Sequence, residues 1–246
     1  MPLPWETVWI IGASTGIGKA VAEQLAAQGA KVAASARSLE KLQTLSQGIK
    51  PYPLDVTKPQ DVARTIKQIE MELGPIDLAI LGAGMYQPMA ASEFSAEVMR
   101  NTLDTNVMGV ANALAELLPL MRQRQQGHVA VIASVAGYSG LPKAAAYGAS
   151  KAALINMAES LAPELARDNI TLSVINPGFV ETPMTAVNDF PMPFVMQPDE
   201  AATLIIKGLT KKRFEIAFPW IFVSILKLLK LLPYPIYFWL TRRLVK

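Results

Sequence analysis

The 246 residues contain no cysteine and only one histidine, His128. Disulfides, thiolate nucleophiles and thiolate metal sites are therefore excluded, and a single imidazole cannot assemble the usual zinc clusters, so no metal is expected. Charged residues are sparse at 17%. No apolar run reaches the roughly 20 residues of a bilayer-spanning helix. The longest charge-free runs of the tail, 216–226 and 231–241, hold 11 residues each. The body of the chain has no basic stretch interleaved with aromatics, which argues against nucleic acid as a partner. The opening MPLPWETVWIIGAS shows no basic region leading into an apolar stretch and cleavage site, so no signal peptide is expected. His128, in QQGHVAVI just ahead of an apolar run, is read as a turn or surface residue.

What is present suits one folded domain of the α/β class. The chain is 51% apolar with mean hydropathy +0.27, too apolar for disorder. Short apolar runs alternate with helical patterns, the mark of a doubly wound, Rossmann-type parallel sheet flanked by helices. Val8–Ile11 reads as a buried strand, and GASTGIG follows it directly. Gly12 permits a tight turn. Gly16 and Gly18 let the backbone approach phosphates where a helix begins, and Ser14, Thr15 and Ile17 lie between them. Lys19-Ala20 departs from the ending of a triphosphate-binding P-loop. The second strand ends in Ala36-Arg37-Ser38, without the carboxylate that would bind a ribose 2′-hydroxyl. A guanidinium there favours the 2′-phosphate of NADP(H) over NAD(H), although Arg37 stacked on an adenine edge is an alternative. Asp55-Val56 follows a strand bearing Pro51 and Pro53, which suit a sheet edge. Asp55 is read either as an acceptor for the adenine amino group or as a helix cap. Gly82-Ala83-Gly84 would let the chain pass close to a flat ligand.

The stretch VAVIASVAGYSGLPKAAAYGASK, Val129 to Lys151, runs from strand to loop to helix. Tyr147 and Lys151 stand four apart on one helix face, with Ser134 at the preceding strand end. A lysine ammonium near a phenol favours the phenolate. Tyr147 is thus expected to exchange a proton with a carbonyl or alcohol oxygen, Ser134 to hold that oxygen, and Lys151 to reach ribose hydroxyls. Asn106, in DTNVMGVANAL, is expected to help fix Lys151 through water. Pro177-Gly178, Val180 and Thr182 fall at another strand end, where Thr182 would touch the cofactor.

Two segments stand apart. Residues 183–198 carry four prolines, three methionines, Phe190 and Phe194, and suit either a lid over a nonpolar substrate or a surface against a partner subunit. Residues 219–246 are apolar, aromatic and basic. From Lys207 onward nine basic residues face one acidic residue, Glu215. This tail reads either as a segment lying on a membrane surface or as a protein-only element at a dimer surface or over the pocket. A cytoplasmic protein, with peripheral membrane attachment through 219–246, is the expected location.

Taken together, these motifs resemble the short-chain dehydrogenase/reductase family over about residues 6–218. Its TGxxxGxG loop stands here as Ile11 to Gly18, with Ile11 in place of the threonine. Its NNAG stands as Leu81-Gly82-Ala83-Gly84, without the asparagine. Asp55, Asn106, Ser134, Tyr147, Lys151 and Pro177-Gly178 follow in family order. The resemblance implies an NADP(H)-dependent oxidoreductase, with residues 1–218 as one cofactor-binding and catalytic domain and 219–246 as an extension outside the family pattern. The expected substrate is a hydrophobic, lipid-like ketone or secondary alcohol. A broad reductase of small carbonyls or sugars and a non-catalytic NADP(H)-binding scaffold remain alternatives. A homodimer or homotetramer is implied.

Overall fold

The structure, a computed structural model, describes residues 3–244. Met1, Pro2, Val245 and Lys246, at the ends of the two expected segments, lie outside the described residues. Seven parallel strands form one sheet in the order β3-β2-β1-β4-β5-β6-β7. They are β1 (Thr7–Ile11), β2 (Lys31–Ala36), β3 (Ile49–Pro53), β4 (Leu78–Leu81), β5 (Gly127–Ile132), β6 (Ile170–Pro177) and β7 (Glu215–Phe218). Between them run α1 (Gly16–Ala27), α2 (Leu39–Gln43), α3 (Pro59–Leu73), α4 (Ala96–Leu103), α5 (Gly109–Arg124), α6 (Ala145–Arg167) and α7 (Pro198–Thr210). The doubly wound expectation therefore holds.

Strand β1 shows why the sheet forms as it does. TVWII is buried along its whole length, as a central parallel strand covered on both faces must be. Alternate side chains go to opposite layers: Trp9 and Ile11 join the core against α3, α5 and α6, while Val8 and Ile10 join the core against α1 and α7. Strand β3, with Pro51 and Pro53, lies at the sheet edge, where a missing N–H costs no ladder bond. The strand order reverses beside β1, between β1 and β4, and the crevice at that reversal is where such sheets take ligands.

His128 overturns the surface expectation. It lies within β5 at 3% exposure. Its Nε2 is 2.9 Å from Ser173 Oγ, and its ring packs on Trp5. Burial, assisted by the Lys212 charge, pushes its pKa down to about 4, so the imidazole is neutral at pH 7. Its polar sequence neighbours concealed the strand, which begins one residue earlier.

The tail is corrected more substantially. Helices α8 (Trp220–Leu231) and α9 (Tyr234–Thr241) are docked on the body. Val223 and Leu226 of α8 form a small core with Val135 and Tyr138. Lys227 bonds Glu215 of β7, and the Tyr237 hydroxyl donates to the Gly140 carbonyl. No helix among the described residues is long and apolar enough to cross a membrane. The aromatics and cations expected to meet lipid are partly engaged within the protein: Tyr237 is buried, Lys227 is ion-paired, and Arg243 lies over the Trp239 ring at 3.9 Å. The expected membrane-surface contact through 219–246 is therefore withdrawn. With it go the peripheral attachment in the expected location, the lipid-metabolism reading and the view of 219–246 as a separate hydrophobic and basic appendage. The outer face still exposes Trp220, Leu228, Leu231 and Tyr234.

Candidate active site

The glycine turn joins β1 to α1 at the carboxyl edge of the sheet. Gly12 (φ +86°) and Gly16 (φ +55°) occupy left-handed backbone, which suits glycine far better than residues with a Cβ. A Cβ on Gly12 would lie 2.6 Å from the Gly82 carbonyl oxygen, and one on Gly18 would lie 2.2 Å from the Gly12 oxygen. Gly82 is equally confined, by Ile132 and the Ile11 oxygen. Thr15 precedes α1 in extended conformation without a side-chain cap bond. The first-turn N–H groups of this 12-residue helix thus lack a protein cap, as a phosphate site requires. Ser14 and Ile17 are partly buried in the same turn. The Thr182 methyl lies against Gly16, where a Cβ would meet it at 2.7 Å, so the loop after β6 reaches the glycine turn.

On the other side of β1, Arg37 is exposed after β2. Ser38 caps α2, accepting from Lys41 N at 3.3 Å, so its hydroxyl already has a structural role. Asp55 Oδ1 accepts from Thr57 N at 3.1 Å and Thr57 Oγ1 at 2.7 Å, while Lys58 Nζ stands 4.0 Å from Oδ2. The Thr57 bonds, helped by Lys58 and Arg37, hold its pKa below the usual carboxylate range against the opposing effect of burial. Asp55 therefore closes a turn on Thr57 and does not cap α3, whose N-cap position is Lys58. Val56 is buried, its carbonyl accepting from Asn112 and its side chain filling the space beside Gly109.

Ser134, Tyr147, Lys151 and Asn106 converge from three elements. Ser134 lies just past β5, its Oγ accepting from Ala136 N at 3.1 Å and 3.4 Å from the Pro177 carbonyl. Lys151, 4% exposed, donates from Nζ to the Ile132 carbonyl at 2.8 Å and lies 5.5 Å from the Tyr147 ring centroid. A Cβ on Gly84 would stand 3.5 Å from Asn106 Oδ1 and 3.7 Å from Lys151 Nζ, so Gly84 leaves these two groups their shared space. Ala83 packs on the core beside them. Gly178 N donates to the Phe218 carbonyl, its Cα face covered by Pro219 and Phe222, and Val180 is buried and bridged to Met196.

Two contacts differ from expectation. Asn106 sits in a π-helical turn, Asp104–Met108, between α4 and α5. Its amide is fully used within the protein: Oδ1 accepts from Met85 N at 2.8 Å, and Nδ2 donates to Met85 O at 3.1 Å and Ser150 Oγ at 3.0 Å. Its direct partners are thus Met85 and Ser150, and Ser150 was missed at the sequence level. Second, Tyr147 is pushed up to about 12: burial dominates, Ser134 pulls it down, and Tyr86 adds to the rise. Burial also pushes Lys151 down to about 8. At neutral pH Tyr147 is therefore protonated and stands as a donor.

An aromatic cluster joins the loop after β6 to α8. Phe179 stacks on Phe222 of α8 at 5.5 Å and meets Phe190 edge-on at 5.9 Å, and Phe194 is 6.3 Å from Phe222. The 183–198 segment therefore touches the tail, a pairing invisible to local sequence pattern.

Comparison with known proteins agrees with this geometry. A family model described as short chain dehydrogenase matches residues 6–190. An uncharacterized oxidoreductase of Myxococcus xanthus is 37% identical over 98% of each chain, so its similarity extends through the tail. A short chain dehydrogenase from Burkholderia cenocepacia, solved with NADP, shares the fold with TM-score 0.85 over 100% of both chains at 24% identity. A variant of actinorhodin polyketide ketoreductase solved with NADPH has TM-score 0.78 at 26% identity, covering 87% of this chain and 94% of its own. With its sheet order, glycine turn and Ser-Tyr-Lys cluster in place, the chain belongs to the short chain dehydrogenase family.

Proposed function

We propose that the protein is an NADP(H)-dependent oxidoreductase that interconverts a hydrophobic ketone and its secondary alcohol at Ser134, Tyr147 and Lys151. The observation that carries this reading is the convergence of those three groups beside the glycine turn. The turn fits a dinucleotide: Gly12 and Gly18 sit where a Cβ would strike backbone, and the start of α1 offers N–H groups to a pyrophosphate. NADP(H) is supported by Arg37 and by the NADPH in the related ketoreductase structure. When bound, the nicotinamide supplies or accepts the hydride. Gly12, Ser14, Thr15, Gly16, Ile17, Gly18 and Thr182 would line its phosphates, Arg37 and Ser38 its 2′-phosphate end, and Asp55 and Val56 its adenine. Gly82, Ala83 and Gly84 would pass beneath it, and Pro177, Gly178 and Val180 would flank the nicotinamide.

In the reductive direction Tyr147 gives its hydroxyl proton to the carbonyl oxygen while the Ser134 hydroxyl donates to the same oxygen, offsetting the charge that develops there. In the reverse direction the Tyr147 oxygen takes the proton of the alcohol. Lys151 would hold the ribose hydroxyls, and Asn106 holds the turn before Tyr86.

Residues 1–218 form the catalytic body of this reading, with 183–198 as the substrate loop and the segment from 219 as a wall of the pocket. The aromatic cluster of Phe179, Phe190, Phe194 and Phe222 supports an apolar substrate. NADPH oxidation against a panel from bulky apolar ketones to short polar ones tests it. Higher kcat/KM on the apolar members is expected, and equal or better rates on the polar members would discard the apolar preference.

A further inference from the structure

Tyr86 stands outside every motif described above, yet it is the aromatic residue packed on Tyr147. Their rings meet edge to face, centroids 5.1 Å apart at 68°. The contact is held from both ends. On one side Asn106 grips both the N–H and the carbonyl of Met85, the residue before Tyr86. On the other side the same Asn106 amide donates to Ser150 Oγ, and Ser150 in turn donates to the carbonyl of Tyr147 itself at 2.7 Å. One buried amide thus ties the backbone beside Tyr86 to the backbone of Tyr147.

Burial raises the Tyr86 pKa, and the Asp189 charge adds to the rise. The chain just after Tyr86 is tied to the loop before α6, where the Lys143 carbonyl accepts from Met89 N at 2.9 Å, and Lys143 in turn holds Asp189 of the 183–198 segment at 2.7 Å.

We propose that Tyr86 is a positioning residue for the reaction: its ring fixes the orientation of Tyr147. This inference rests on the reading of Tyr147 as the proton donor. An edge-to-face pair adds attraction beyond area burial, which favours one ring orientation over its competitors. Transfer to a bound carbonyl needs that orientation, because a donor displaced by about 1 Å loses on the order of a hundredfold in rate. The groups facing Tyr147 are Ser134 from the end of β5, Lys151 from its own helix and Tyr86.

The test compares Tyr86→Leu and Tyr86→Phe with the wild type and with Tyr147→Phe, in NADPH oxidation with the best ketone of the panel. Tyr86→Leu is expected to lower kcat tenfold or more while the NADPH dissociation constant stays within twofold. Tyr86→Phe keeps the ring, so kcat should stay within threefold. A folded Tyr86→Leu protein with wild-type kcat would overturn the proposal. If Tyr86→Leu fails to fold, Tyr86→Met, which fills the space without a ring, is read in its place: the same loss of kcat is expected, and wild-type kcat overturns the proposal. Should Tyr147→Phe match the wild type, the reading of the site falls, and the role of Tyr86 with it.

Discussion

The Nζ of Lys151 donates to the main-chain carbonyl of Ile132 at 2.8 Å, joining the first turns of α6 to the end of β5. The bond holds a charge-bearing side chain in a place where only 4% of the residue is exposed. Burial disfavours the ammonium, which is why the pKa falls from 10.5 to about 8.

A stability prediction follows from that shift. The folded-state pKa is depressed, so between about pH 8 and 10.5 the unfolded chain binds more protons than the folded one. Stability then rises with pH through this window. Lys151→Met removes the buried cation and is expected to be more stable than wild type at pH 7 by roughly 1–3 kcal/mol, even with the Ile132 bond lost. The difference should shrink toward pH 10. Urea midpoints at the two pH values check this, and a variant less stable than wild type at pH 7 contradicts it.

The glycine turn predicts an order among substitutions. In Gly18→Ala the new methyl meets the Gly12 carbonyl, which is backbone, so the cost is about 3 kcal/mol and NADPH binding is lost. In Gly16→Ala it meets the Thr182 methyl, and with the left-handed strain the cost is about 1–2 kcal/mol. Because that methyl is the obstacle, adding Thr182→Ser should restore part of the loss. Thermal unfolding and NADPH titration of these proteins, with Thr182→Ser alone completing the cycle, would show it. Strict additivity of Gly16→Ala and Thr182→Ser would contradict the contact.

These glycines illustrate what the sequence makes legible. Gly12, Gly16 and Gly18, like Tyr147 and Lys151, lie within a few residues of one another, so spacing alone places them on a turn or one helix face. The apolar runs likewise reveal the strands, since a central parallel strand has no solvent face to encode. Three features were hidden because their partners are remote in the chain. Tyr86 meets Tyr147 across 61 positions of sequence, Tyr237 meets Gly140 across 97, and His128 finds Ser173 across 45. The tail was misjudged for the same reason: Lys227 looks like a free cation until Glu215 is folded against it. The electrostatics of Tyr147 also escaped, because spacing shows that a lysine is near but not that burial raises the pKa of the phenol.

The docking of the tail depends on Glu215. Its Oε1 accepts from Tyr138 OH at 2.6 Å and Asn176 Nδ2 at 3.1 Å, and its Oε2 bonds Lys227. Burial raises its pKa, but Lys227 and Tyr138 outweigh burial and leave it lowered. This contribution is therefore present at neutral pH and lost as pH falls through the folded-state value. Glu215→Ala strands two buried donors and should cost about 1–3 kcal/mol. Lys227→Met removes a half-exposed partner and should cost only about 0.5–1 kcal/mol. Chemical denaturation at pH 7 measures both, and equal losses would contradict the assigned roles.

The central claim is that the Tyr147 hydroxyl is the proton donor, and Tyr147→Phe tests it most directly, since only one oxygen is removed from the site. With the best ketone of the panel, kcat is expected to fall at least a hundredfold while the NADPH dissociation constant stays within about threefold. A Phe variant that turns over within a few-fold of the wild type would contradict the account.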